Sequence, residues 1–152
     1  MRVLGMLSML FVAQAQTPNE WIQGPAATAS AEAARQFIDA MQEGDAAGLA
    51  AQGTDPFTFE GRRLEGRAVI ETFWKQALEA GGQRFGNQAG ARVDVMSHES
   101  ATTRFGKPPA KLSHLPLERC LFAAVTFERR HGYLLILVES PKNTWRVTAV
   151  TD

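Results

Sequence analysis

Asp94 and His98 are two side chains of this 152-residue chain that could do acid–base work from one face of a strand. Residues 92–98 alternate, so that Val93 and Val95 fall on one face of a predicted strand and Asp94, Met96 and His98 on the other. Four residues along a strand span roughly 13 Å at about 3.3 Å per residue, too far for the carboxylate and imidazole to share a hydrogen bond. Each is therefore expected either to face a substrate separately or to occupy an ordinary strand edge. Other chemistries find less support. His98, His114 and His131 are scattered, with no Glu or Cys at ligand spacing and no His-Glu-x-x-His, so no metal site is expected. Neither a Gly-x-Ser-x-Gly nor a catalytic cysteine pattern is present. Cys120, the single thiol, stands beside Leu121, Phe122 and Ala123 and reads as a small apolar core residue.

Composition narrows the partners. Sixteen basic and sixteen acidic residues cancel, so no global field points to nucleic acid or an anionic membrane. No stripe of aromatic and basic residues suggests a platform for single strands, and the glycines between 81 and 90 do not form a phosphate-cradling loop. No cofactor is expected. At this length the chain fits one domain with a single substantial core.

The first fifteen residues form a separate region. Arg2, an apolar run over 3–12 and Ala13-Gln14-Ala15 have the layout of a signal peptide, too short to span a bilayer stably. Export to a periplasm or medium is expected, with no stable membrane span after cleavage. Residues 16–29, with Pro18, Gly24 and Pro25, read as a tether, and residues 30–152 as the domain.

Within the domain, Ser30 is the expected N-cap of a helix with Ala34, Phe37, Ile38 and Met41 on one face, ended by Gly44. Asp45 caps a second, shorter helix that stops at Gly53. Two short strands flank Gly61, and Gly66 precedes a helix carrying Ile70, Phe73 and Trp74. The second half is strand-like: residues 117–129, 133–140 and 144–151 form an antiparallel meander, with Trp145, Val147 and Ala149 sharing a face. Residues 99–116 form a long, basic connection with Pro108-Pro109 at its middle, read as a surface excursion or lid. Helices first and strands second argue for an α+β fold.

The order over residues 37–74, with Gly44-Asp45 after the first helix and Gly66-x-x-x-Ile70-x-x-Phe73-Trp74 opening the third, resembles the nuclear-transport-factor-2-like superfamily. That group includes ketosteroid isomerases and polyketide cyclases, and the likeness covers about residues 30–151. It implies a cone-shaped domain with N-terminal helices on a curved antiparallel sheet, a pocket open at one end, and dimerisation through the sheet's outer face. It does not carry over the isomerase machinery. The hydrogen-bonding Tyr falls at Phe37, the catalytic Asp at Gly61 or, one register on, at Glu60, and the second Asp near Leu135 or Ile136. Glu60 is thus the best single candidate base, its pKa raised if an apolar cone surrounds it. The alternative is a hairpin residue in water, paired with Arg62 or Arg63. The cyclases' Asp/His pair would correspond to Asp94 and His98.

The same resemblance makes Phe37, Met41, Phe59, Phe73, Trp74, Tyr133 and Trp145 the candidate pocket lining, although these side chains equally suffice to fill a core. The favoured expectation is a non-enzymatic exported domain that binds a small apolar molecule in the cone. An isomerase, dehydratase or cyclase, and a dimerising module with a filled pocket, are the alternatives.

Overall fold

Pro25, read from sequence as tether, instead opens the first helix. The computed structural model describes residues 24–81, 90–127 and 132–152; the segment read as a signal peptide and His131 lie outside them. Helix α1 spans Pro25–Glu43, with proline in the first turn, where its missing N–H costs no hydrogen bond. Ser30 is therefore not a cap. It is fully buried inside the helix, and its Oγ donates to the carbonyls of Ala26 (2.7 Å) and Ala27 (3.1 Å). Gly44 ends α1 in the left-handed conformation, and the Asp45 carboxylate accepts from Gly48 N at 2.9 Å to cap α2, Ala46–Gln52.

Strand β1 (Gly53–Phe59) turns through Glu60 and Gly61 into β2 (Arg62–Leu64), and helix α3 follows over Arg67–Gly81. Both turn residues have positive φ, 49° and 81°, which is the geometry a two-residue hairpin needs. β3 (Arg92–Ser97) leads directly into helix α4 (His98–Phe105), and two 3-10 turns, Ala110–Leu112 and Leu117–Arg119, precede β4 (Leu121–Thr126). The expected strand over 117–129 thus starts four residues later. β5 (Tyr133–Glu139) and β6 (Trp145–Thr151) complete a six-stranded sheet in the order β2-β1-β6-β5-β4-β3. The fold is α+β as expected, but the sheet is mixed, because β1 runs parallel to β6 while every other pair is antiparallel.

Among the described residues four helices and the sheet enclose two apolar cores. On one face, α1, α2 and α3 bury Phe37, Met41, Leu49 and Trp74 against Val125, Leu135, Leu137 and Val147. Trp74 sits at the centre of a ring cluster, with Phe37, Phe57, Phe59 and Phe73 at centroid distances of 5.7, 5.8, 5.7 and 5.4 Å. Such tilted and edge-to-face pairs each add about 0.5–1.5 kcal/mol beyond area burial. On the opposite face, Met96, Phe122, Ala124, Ile136 and Ala149 pack against Ala101 and Leu112 from the segment that sequence alone reads as a loop. A bulge divides β6 between the two cores. Val147 pairs with Leu137 and Ala149 with Ile136, so Thr148 is the extra residue. Trp145 and Val147 face the helices, whereas Ala149 faces away, correcting the shared face expected for all three. Among the described residues no helix is long and apolar enough to cross a membrane.

Candidate functional site

The segment 98–119 is a strap across the outer sheet face, and its helix is locally encoded. Ser97 Oγ accepts from Ser100 N at 3.1 Å, Glu99 stands in the first turn and Arg104 in the last, both favourable to the helix dipole. His98, Ala101, Thr102 and Phe105 then recur at i, i+3, i+4 and i+7, one face of α4. That face covers a cavity of about 310 Å³ whose floor includes Phe122 and Ala124 of β4, Leu134 of β5 and Thr151 of β6. Pro108, Pro109 and Leu112 continue the roof beyond α4, and Phe105, 54% exposed, stands at the rim. The volume lies at the lower end of the range for small-molecule sites, and the lining is predominantly apolar.

The far end of the strap is fastened to the opposite edge of the sheet. Lys111 Nζ lies 2.9 Å from Glu60 Oε2 and 3.6 Å from Asp152 Oδ1, while Asp152 N donates to Glu60 Oε1 at 2.9 Å. The hydrogen bond to Glu60, reinforced by both carboxylates, raises the Lys111 ammonium above its ordinary pKa. Asp152 is held below the usual carboxylate range by hydrogen bonding with Glu60 and by the Lys111 charge. The Lys111 stem lies so close over Gly61 that a Cβ there would stand 2.7 Å from Lys111 Cβ, which gives the hairpin glycine a second reason beyond its φ. A second fastening joins His114 Nε2 and Thr58 Oγ1 at 3.0 Å.

The three acid–base candidates are not brought together. Glu60 is on the β1–β2 hairpin and Asp94 on β3, separated by four strand spacings, or about 19 Å at ~4.8 Å per step. Glu60 is neither in an apolar cone nor paired with Arg62 or Arg63; it is an ion-pair partner of Lys111 at the surface. Asp94 faces Arg104 of α4, Oδ2 to Nη1 at 3.9 Å. His98 is the first residue of α4 rather than the last of β3, and its ring lies 5.9 Å from that of Phe122. Of the expected pocket lining, Phe37, Met41 and Trp74 are fully buried in the helix-side core, and Phe59, Phe73 and Trp145 pack against that core. Tyr133 donates its hydroxyl to Met41 Sδ at 3.5 Å. Cys120 is buried, its Sγ donating to the Pro116 carbonyl at 3.3 Å, and burial pushes its pKa up to about 11. Among the described residues no cluster of His, Cys, Asp or Glu could hold a metal ion.

Residues that sequence reasoning did not place in a site are Ala101, Phe105, Lys107, Leu112 and Thr151. A signal for the first two was present, in the Ser97 cap followed by helical spacing of the apolar residues.

No protein-family profile matches the chain, and no curated protein matches it in sequence. The solved structures to which the chain is similar include two. One is a domain of unknown function with a cystatin-like fold from Nostoc punctiforme, 17% identical, covering 84% of this chain and 76% of that chain at a TM-score of 0.41. The other is Aln2 from a Streptomyces species, 13% identical, covering 86% of this chain and 90% of that chain at a TM-score of 0.46.

Proposed function

We propose that this chain is an exported binding domain of nuclear-transport-factor-2-like type, and that its ligand is a small, largely apolar molecule held beneath the strap. The single observation that carries the reading is the apolar cavity of about 310 Å³ between α4, residues 106–112 and the outer sheet face. Its predominantly apolar lining offers water few partners. The cone side supports a core role instead, since Phe37, Phe57 and Trp74 are buried there against one another. The order of helices, hairpin and sheet supports the family reading, and the N-terminal layout supports export.

Catalysis by Glu60 or by an Asp94–His98 pair is disfavoured because each carboxylate has a cationic partner elsewhere. Dimerisation through the outer face is disfavoured because the strap of the same chain occupies much of it.

The test is binding of aminoanthracene, a largely apolar fluorophore, to wild type and to Ala124→Phe. Ala124 is on the cavity floor, and a phenyl ring there fills the space the probe would take. Saturable binding that falls at least ~10-fold in the variant supports the reading, since one well-filled apolar contact is worth that much. Ala101→Leu, altering the roof, repeats the experiment if Ala124→Phe fails to fold. Binding unchanged in folded variants refutes it.

A further inference from the structure

We infer that the ligand of the strap cavity carries an acid group, so that the site selects a small apolar carboxylate over its neutral counterpart. This rests on the binding reading above and sharpens it. The polar groups around the cavity are unequal in kind. Among the described residues its one carboxylate, Asp152, is already engaged by Lys111 and adjoins Glu60 through its own amide. The cation on the same lining, Lys107, forms no ion pair or hydrogen bond among the described residues. His98 places its ring over Phe122, with neither ring nitrogen hydrogen-bonded among the described residues.

A further observation comes from the floor. Thr151 is 3% exposed, lines the cavity, and its Oγ1 has no hydrogen-bond partner among the described residues. A buried hydroxyl is rarely left unsatisfied, so this one points to a partner arriving from the cavity. Lysine offers only donors, a hydroxyl can donate, and imidazole can donate from one nitrogen. A ligand that accepts hydrogen bonds and carries negative charge matches all three, whereas an amine would meet Lys107 as a like charge. The remaining lining, with Phe105, Leu112, Phe122 and Leu134, suits an apolar body. At interior packing density the space takes on the order of ten to fifteen non-hydrogen atoms, the size of a medium-chain fatty acid or an aryl acid.

The experiment compares octanoate with octanol by calorimetry at neutral pH and low ionic strength, on wild type and Lys107→Met. Lys107 is exposed, so its replacement leaves the fold intact. Octanoate should bind wild type at least ~5-fold more tightly than octanol, and most of that advantage should vanish in the variant or at high salt, while octanol binding stays constant. Octanol binding as tightly as octanoate would overturn the acid inference and leave the apolar site standing. Binding of neither would overturn both.

Discussion

Replacing Leu112 with Ala separates a structural strap from a loose surface loop. Leu112 is 3% exposed and packs in the outer core with Met96, Ala101, Phe122 and Ile136. Truncation removes three carbons, a transfer loss of about 2.4 kcal/mol at ~0.8 kcal/mol per buried group. Leucine-to-alanine changes in packed cores reach about 5 kcal/mol when a new cavity is left behind. Here the side chain already borders a cavity of about 310 Å³, so truncation enlarges an existing space and removes fewer packed contacts than in a solid core. The expected cost is therefore near the lower limit, about 2–3 kcal/mol. Urea unfolding followed by far-UV circular dichroism measures it, with the midpoint shifting at unchanged m-value. Val69→Ala is the control: Val69 is 51% exposed, and its truncation should stay within about 0.5 kcal/mol. A Leu112→Ala cost as small as the control's would refute the outer core. A fall in m-value would show instead that the strap unfolds separately.

Four further outcomes are expected. Lys111→Ala should cost under about 1 kcal/mol, because the pair is surface-screened, yet should speed amide hydrogen exchange over residues 106–119. The Asp152 pKa is depressed and the Lys111 pKa raised, so the fastening holds at intermediate pH. It weakens as pH falls below about 4 through the Asp152 value and as pH rises past about 10.4 through the Lys111 value, and exchange measured across pH should track both limits. Cys120, with its thiol pushed up to about 11, should resist iodoacetamide at mildly alkaline pH until denaturant is added; rapid native alkylation, read by mass spectrometry, would contradict its burial. Asp45→Ala removes the α2 cap and should cost about 1 kcal/mol in thermal or urea unfolding, with a neutral result placing the capping elsewhere.

Local signals in the chain translate well where one residue type has one geometric use. Gly44 and Asp45 mark the α1–α2 junction, and Gly66 precedes α3, because αL caps and side-chain caps depend on neighbours only a few residues away. The Gly24-Pro25 pair is ambiguous in sequence, since proline begins helices as readily as it interrupts loops. The β6 bulge is illegible there: Val147, Thr148 and Ala149 suit a strand in either register, and only the pairing with Leu137 and Ile136 determines where the face switches.

The strap is partly legible. Residues 133–138 are apolar without alternation, which is the pattern of a strand covered on both faces. Leu135 and Leu137 indeed serve one core while Leu134, Ile136 and Val138 serve the other. Some segment has to supply the second layer, and residues 98–119 do so. The link from Lys111 to Glu60 cannot be read in advance, because its partners are 51 residues apart and meet only once the strap crosses the sheet.

A ligand site beneath the strap is tested by native followed by denaturing mass spectrometry of wild type and Ala124→Phe after incubation with octanoate or with octanol. A one-to-one adduct is expected on wild type that leaves on denaturation and is absent from the folded variant. An adduct of equal abundance on both proteins, or none on wild type with either octanoate or octanol, would contradict a ligand site beneath the strap.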